Sequence, residues 1–147
     1  MSETEIIYYI IYAVVGVYLL AMSVIDIRLK KIPLIPGAIL FGLILTLLLI
    51  CHEEPVHIIT GMIIGVFIYI VSRLTRGSIG EADALVYLIT GMTLGFWKNS
   101  EVFLIGLILS AICGGILLIL KKANRKTKLA FVPFTAVGYI FVVAGNL

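Results

Sequence analysis

The chain has 147 residues, of which 62% are hydrophobic and 13% charged, with a formal net charge of +3. This composition excludes a water-soluble globular domain, because too few polar residues are left to cover its surface. One membrane crossing needs about 20 residues, so the chain has room for about six crossings and no separate soluble domain. Residues 1–147 are therefore predicted to form a single polytopic membrane domain.

Six apolar segments follow one another along the chain, separated by short polar connections. Their continuous hydrophobicity favours α-helices over the alternating strands of a membrane β-barrel. We therefore expect an all-α bundle of six transmembrane helices, the first of which is retained rather than cleaved as a leader. The predicted segments are Ile6 to Ile25, Leu34 to Ile50, Val56 to Val71, Ala84 to Trp97, Val102 to Leu120 and Leu129 to Ala144.

The basic residues between these segments predict how the helices are oriented. Ten of the eleven lie in the first, third and fifth connections, and only Lys98 lies elsewhere. Because lysine and arginine are enriched in cytoplasmic loops, these three connections are predicted to face the cytoplasm and both termini to face outward. The ten residues are Arg28, Lys30, Lys31, Arg73, Arg76, Lys121, Lys122, Arg125, Lys126 and Lys128.

Two aspartates lie at the ends of apolar segments: Asp26 closes the first and Asp83 opens the fourth. A carboxylate at the edge of a bilayer is costly, so such a residue is a functional hypothesis by default. The distribution of basic residues places both at the cytoplasmic boundary, which predicts a catalytic pair. The alternative to catalysis is that each aspartate has a structural role. Asp26 would then be an interfacial charge beside Arg28, and Asp83 a carboxylate that satisfies free backbone N–H groups at a helix start.

Proline and glycine near the two aspartates predict where the adjacent helices begin and end. Pro33 fixes its own φ and disfavours helix in the residue before it, so the first helix is expected to end near Asp26. Gly80 relaxes the backbone just before the acidic residues Glu81 and Asp83. Both aspartates are therefore expected to lie at helix termini.

Three stretches carry a family resemblance. They are the D-x-R-x-x-x-I-P pattern from Asp26 to Pro33, which includes Arg28, the glycine-containing approach to Asp83, and LAFVPFTAVGYI around Pro133. In order and spacing they resemble the signatures of type IV prepilin peptidases, the leader peptidases among the G-x-G-D intramembrane aspartyl proteases. The resemblance implies a bundle of transmembrane helices with Asp26 and Asp83 as the catalytic pair.

The resemblance also implies a substrate and a location. The enzyme would be an aspartic endopeptidase that removes the short basic leader from pilin-like precursors, which are prepilins, pseudopilins or preflagellins. Cleavage would occur at the cytoplasmic face of a prokaryotic inner membrane, with the apolar N-terminal helix of the precursor held in the membrane lipid. Two carboxyl groups that share a proton can activate water and protonate a peptide carbonyl, so no metal or cofactor is predicted. Nucleic acid is not a predicted partner.

The sequence departs from the family pattern at three positions and in one region. Ala82 replaces the second glycine of G-x-G-D, and alanine disfavours the positive φ that glycine allows. Leu85 and Leu34 stand where lysine and asparagine are common in bacterial members. The two zinc-binding C-x-x-C pairs of larger members are absent. The resemblance is therefore to the compact form, as in archaeal preflagellin peptidases and the peptidases of tight-adherence pili, and cleavage is expected without N-methylation.

Several other features have simpler interpretations. Glu81 would attract basic residues of a leader, but a helix-start carboxylate at the interface is the favoured interpretation. His52 and His57 are interpreted as solvated residues of the second connection, and no metal site is predicted. The G-x-x-x-G pairs are interpreted as ordinary close helix packing. These pairs are Gly61 with Gly65 and Gly91 with Gly95.

Two other classes of function remain open. A small transporter or channel subunit would need an ionisable group near the bilayer midplane, and none of the eight acidic residues lies in the middle of a segment. An inactive scaffold in pilus assembly would keep the fold without cleaving a substrate.

Overall fold

The structure is a computed structural model that describes residues 3–75, 80–122 and 129–145. Within these ranges the chain forms six helices and no strand, so the all-helical prediction is confirmed. The basic residues Arg76, Arg125, Lys126 and Lys128 lie outside the described ranges. The helices are α1 (Glu3–Leu29), α2 (Leu34–Ile50), α3 (Pro55–Gly61), α4 (Ile63–Leu74), α5 (Glu81–Ile119) and α6 (Val132–Ala144).

The outer surface of the bundle is apolar, as the composition predicts for a membrane protein. Three helical stretches are long and apolar enough to cross a membrane, namely α1, Pro55–Leu74 and α5. Large side chains such as Leu74 and Ile119 are 78% and 81% exposed. Such a surface is unfavourable in water and favourable in lipid. The chain is therefore a membrane protein.

The longest helix, α5, reverses direction at Gly95. Its φ of 75° and ψ of 177° belong to a region that is essentially restricted to glycine. The ring of Tyr87 lies 5.4 Å from that of Phe103, 16 positions later. In a straight helix these residues would be about 24 Å apart, at about 1.5 Å per residue. Residues 81–94 and 96–119 therefore form two antiparallel arms of α5.

This reversal corrects the predicted fourth connection. Residues 98–101 were expected to form a polar loop, but they lie inside the second arm of α5. The turn occurs earlier, because the positive φ of Gly95 reverses the chain without a loop.

The side chain of Asn99 stabilises the reversal of α5 through hydrogen bonds. This side chain is fully buried, and its amide N–H groups donate to the carbonyls of Tyr87 and Gly61 at 3.2 Å each. Its side-chain oxygen accepts a hydrogen bond of 2.8 Å from the Thr90 hydroxyl. One amide therefore connects both arms of α5 to the end of α3.

The two G-x-x-x-G pairs lie where the end of α3 and the start of α4 cross the first arm of α5. A Cβ added at Gly61 or at Gly91 would overlap the carbonyl oxygen of the other residue. A Cβ at Gly65 would lie 2.6 Å from the backbone nitrogen of Leu88. The interpretation of these pairs as close helix packing is confirmed, and the backbones touch because no side chain separates them.

The connections between helices lie at two opposite ends of the bundle. At one end, Asp26 in the last turns of α1 meets Val132 at the start of α6, and the start of α5 lies beside them. At the other end, Tyr8 near the start of α1 hydrogen-bonds to Glu53 in the α2–α3 connection. The connections that follow α1, α4 and α5 therefore emerge at the same end as the aspartates.

The interpretation of His57 as a solvated loop residue is wrong. His57 lies in the first turn of α3, is half-buried, and packs its Nε2 edge against Gly95. Its Nδ1 lies 3.1 Å from a carboxylate oxygen of Glu53, without the alignment of a hydrogen bond. The imidazole thus fills the space beside the α5 reversal. His52, by contrast, is exposed as expected.

Candidate active site

Asp26 is buried near the end of α1, with 7% of its surface exposed. Its Oδ2 accepts a hydrogen bond of 3.2 Å from the backbone N–H of Val132. Val132 is the first residue of α6, where backbone N–H groups have no acceptor within their own helix. Asp26 therefore joins the end of α1 to the start of α6 and faces the positive end of the α6 dipole.

Pro133 explains why α6 begins at this point. It lies in the first turn of α6, where its fixed φ suits the helix and its missing N–H removes no helical hydrogen bond. Val132, which precedes it, keeps its N–H and directs it at Asp26. The predicted motif around Pro133 thus supplies a partner for the first aspartate.

Asp83 lies in the first turn of α5 and is half-buried. Gly80 is the N-cap residue, and its carbonyl accepts a hydrogen bond of 3.1 Å from the Asp83 N–H. The Asp83 carboxylate folds back over Gly80 and accepts its backbone N–H. This is the carboxylate half of a capping box. Asp83 therefore has the structural role considered as an alternative, that of a carboxylate that satisfies a free backbone N–H at a helix start.

The two carboxyl groups lie close enough to interact electrostatically. Each accepts one backbone N–H at the start of a helix, from Gly80 for Asp83 and from Val132 for Asp26. Two positive helix ends thus converge on the pair and stabilise negative charge there. The structure brings together the two residues that the sequence predicts as catalytic.

Ala82 fits the geometry of the second motif without strain. It lies in the first turn of α5 and is helical, so the position does not need the positive φ that glycine would permit. Alanine is also the better helix former. Leu85, two residues after Asp83, packs closely against Gly37 of α2. Both Ala82 and Leu85 therefore fit the local packing near Asp83.

Arg28 and Pro33 shape the boundary between α1 and α2. Arg28 is exposed in the last turn of α1, where a cation suits the negative end of the helix dipole. No ion pair joins Arg28 to Asp26 among the described side chains. Pro33 is the N-cap of α2 and has extended backbone angles, φ −67° and ψ 128°. The alternative in which Asp26 is an interfacial charge beside Arg28 is therefore not supported by an ion pair, and Asp26 is buried instead.

Glu81 forms an ion pair that the sequence does not predict. Its Oε1 lies 3.6 Å from Nε of Arg73 at the end of α4, and both side chains are largely exposed. Arg73 Nε also donates to the Tyr69 hydroxyl at 3.1 Å, and its guanidinium lies 5.5 Å from the centre of the Tyr69 ring. Exposed ion pairs contribute little to stability and exchange readily with other partners. Glu81 is thus held by a cation that another cation can displace.

Sequence reasoning missed two buried hydroxyl groups near the aspartates. Tyr87 lies one helical turn after Asp83 and is fully buried, and its hydroxyl is 2.9 Å from that of Thr135. Thr135 lies one turn after Val132 in α6. The available signal was the i,i+4 spacing from Asp83 to Tyr87, together with the polar residue inside the apolar stretch of the third motif.

A cavity of about 180 Å³ opens at the opposite end of the bundle. Neither aspartate lines it, so it is separate from the carboxyl pair. Its walls include Tyr8, Tyr9, Tyr12, Leu94 and Lys98.

No protein-family model, curated protein or solved structure matches this chain.

Proposed function

We propose that the protein is a membrane-embedded aspartic endopeptidase with Asp26 and Asp83 as its catalytic pair. The observation that carries the proposal is that two carboxyl groups lie within electrostatic range of each other at one end of an apolar helix bundle, each supported by a backbone N–H. Two like-charged groups placed together at the edge of a membrane oppose folding, because each disfavours ionisation of the other. Such an arrangement is typical of a catalytic dyad.

The chemistry follows from a pair that holds one proton between its two members. The carboxylate removes a proton from water, whose oxygen attacks the carbonyl carbon of the peptide bond. The carboxylic acid gives its proton to the carbonyl oxygen, which produces a tetrahedral diol. Collapse of this diol breaks the C–N bond, and a proton passes to the leaving amine. The N–H groups of Val132 and Gly80 stabilise the single negative charge that the pair retains throughout.

The proposed arrangement in the membrane has six crossings. The two antiparallel arms of α5 supply two of them, and Pro55–Leu74 supplies one. The 13 residues of α6 extend about 20 Å at about 1.5 Å per residue, which is less than the hydrocarbon thickness of about 30 Å. A span as short as α6 thins the bilayer locally and lets water reach the aspartates.

The basic residues orient this bundle in the membrane. Arg28, Lys30, Lys31 and Arg73 belong to the end of the bundle that holds the aspartates. By the enrichment of lysine and arginine in cytoplasmic loops, this end faces the cytoplasm and both termini face outward. The proposed location is the inner membrane of a prokaryotic cell.

The proposed substrate is a pilin-like precursor with a basic leader in the cytoplasm and an apolar helix in the membrane. Support comes from the sequence signatures around Asp26, Asp83 and Pro133, which the fold gathers at one end of the bundle. Because the chain lacks the C-x-x-C pairs of the larger enzymes, the proposed product carries an unmethylated N-terminus.

A scaffold without catalytic activity is the second candidate. It is favoured by one observation, namely that each aspartate accepts a backbone N–H at a helix start, as purely structural carboxylates do. An inactive relative of a peptidase would retain these contacts because they hold α5 and α6 in place.

A cleavage assay tests the proposal. The protein is reconstituted in liposomes together with precursors that carry a basic leader. We expect one cut at the junction of leader and apolar helix, and a free, unmethylated N-terminus detected by mass spectrometry. The matched control is the same precursor with its leader lysines and arginines replaced by glutamate, which we expect to be cut at least tenfold more slowly. No cleavage of any of several pilin-like precursors would favour the scaffold.

A further inference from the structure

The fully buried hydroxyl of Tyr87 connects α5, which carries Asp83, to α6, whose first N–H is bonded to Asp26. It lies 2.9 Å from the Thr135 hydroxyl, and both residues are completely inaccessible. The Thr135 hydroxyl also lies 3.4 Å from the Phe131 carbonyl oxygen, so both hydroxyls have an acceptor when Tyr87 donates to Thr135 and Thr135 donates to Phe131. The start of α6 is thus hydrogen-bonded to the first arm of α5.

The fold makes this connection important for the spacing of the aspartates. Asp26 is fixed by the N–H of Val132 in α6, and α1 packs mainly on α6 and only sparsely on α5. Asp83 belongs to α5, one turn before Tyr87. The position of Asp26 relative to Asp83 is therefore transmitted through α6, and the Tyr87–Thr135 bond fixes α6 against α5 one turn away.

We propose that Tyr87 and Thr135 are positioning residues that set the separation of the Asp26 and Asp83 carboxyl groups. The proposal rests on the peptidase function proposed above and deepens it.

Packing alone does not explain the Tyr87 hydroxyl. Its ring already fits between Phe103, edge-on at 5.4 Å, and Phe131, at 6.2 Å. A phenylalanine would make the same ring contacts without the cost of burying a hydroxyl. Gly106 lies opposite the hydroxyl, and a Cβ there would come within 3.2 Å of the hydroxyl oxygen. The bundle thus provides space and a partner for this group.

The first experiment measures cleavage by Tyr87→Phe and Thr135→Val. A displacement of reacting groups by about 1 Å costs on the order of 100-fold in rate. We expect kcat to fall between about 10-fold and 100-fold with KM within about twofold of wild type, because neither residue contacts the substrate. Thr135→Ser keeps the hydroxyl and is expected to restore most of the activity.

The matched control is Tyr139→Phe. Like Tyr87, Tyr139 is a buried tyrosine, but it lies on α6 and farther from the aspartates. Its hydroxyl donates to the Tyr12 carbonyl of α1 at 3.1 Å. The same atom and one hydrogen bond are removed, so we expect kcat within about twofold of wild type. An equal loss of kcat in Tyr139→Phe would overturn the positioning role, since the effect would then be general loosening of the bundle.

A second experiment needs no enzymatic activity. Asp26→Cys and Asp83→Cys are combined in a protein whose native Cys51 and Cys113 are replaced by serine, and a short bifunctional thiol reagent measures their proximity. We expect the cross-linking yield to fall at least threefold when Tyr87→Phe is added and to stay unchanged with Tyr139→Phe.

The two experiments separate the two proposals. If the wild-type protein cleaves no precursor but cross-linking still falls with Tyr87→Phe, the peptidase function is refuted and the spacing role of the hydroxyl pair is retained. Normal kcat and unchanged cross-linking in Tyr87→Phe would refute the positioning role and leave the peptidase function intact.

Discussion

Replacing Asn99 with leucine should destabilise the bundle strongly, because it removes a buried amide that bonds to three other residues. The Asn99 amide makes three hydrogen bonds, at 2.8, 3.2 and 3.2 Å, and its side chain is completely buried. Leucine has the same branched shape but a larger volume, so the change removes the bonds without leaving a cavity and adds some overpacking. The effect therefore reports the loss of the hydrogen bonds that hold the α5 reversal together with this overpacking.

The magnitude follows from the number of bonds. Hydrogen bonds between membrane helices contribute about 0.6 kcal/mol each on average and up to about 1.7 kcal/mol. Three of them predict a loss of about 2 to 5 kcal/mol in the free energy of unfolding of Asn99→Leu. Thr90→Val removes one of the three bonds, and about a third of that loss is expected.

Unfolding in mixed micelles with increasing denaturing detergent measures this loss. The only tryptophan, Trp97, lies two residues after Gly95 and is 79% exposed, so its fluorescence reports directly on the reversal. Ser110→Ala is the control, because it removes one intrahelical bond of 2.9 Å to Leu107 on the exposed surface. Its predicted effect is below about 0.5 kcal/mol. If Asn99→Leu were as stable as Ser110→Ala, the amide would not hold the reversal, and the reasoning would fail.

Three further predictions concern packing, substrate recognition and protonation. Gly61→Ala should prevent stable folding, judged by yield and monodispersity in detergent, because its Cβ overlaps the Gly91 carbonyl, whereas Gly115→Ala, with open space around it, should behave as wild type. Arg73→Gln should lower the KM for a basic-leader precursor by about twofold to tenfold by freeing Glu81, and an unchanged KM would argue against a role for Glu81 in binding. The rate–pH profile of kcat/KM should be bell-shaped, because a fully protonated pair lacks a base and a fully ionised pair lacks an acid, and a rate that only rises with pH would contradict the shared proton.

The helices could be predicted closely because lipid demands continuous apolar segments. The first, second and sixth segments match α1, α2 and α6, whereas the third is divided between α3 and α4, and the fourth and fifth correspond to the two arms of α5. Asn99 and Ser100 suggested a loop because they are polar. Both lie in a helix, where Asn99 is bonded to other segments and Ser100 donates to the Phe96 carbonyl at 2.7 Å. A sequence does not distinguish polar residues bonded inside the protein from polar residues in a loop.

The location of the two aspartates at one end of the bundle could also be predicted, because charge bias and helix order are properties of the sequence. The partners of the aspartates could not. Val132 is 106 positions from Asp26, and Thr135 is 48 from Tyr87. Each contact depends on the register between α6 and another helix, which small shifts in packing decide. The half-buried His57 was missed for the same reason, since its neighbour Gly95 lies on another element.

Cleavage of a pilin-like precursor by Asp26→Asn and Asp83→Asn tests the catalytic pair most directly. An asparagine oxygen still accepts the N–H of Val132 or Gly80, so both variants should fold, with a loss of stability below about 1 kcal/mol, and their Trp97 fluorescence should match that of wild type. Neither variant can pass the shared proton, so we predict that cleavage falls below about one thousandth of the wild-type rate in each. Cleavage by either variant at near the wild-type rate would show that the aspartates only cap helices and would contradict the aspartic mechanism.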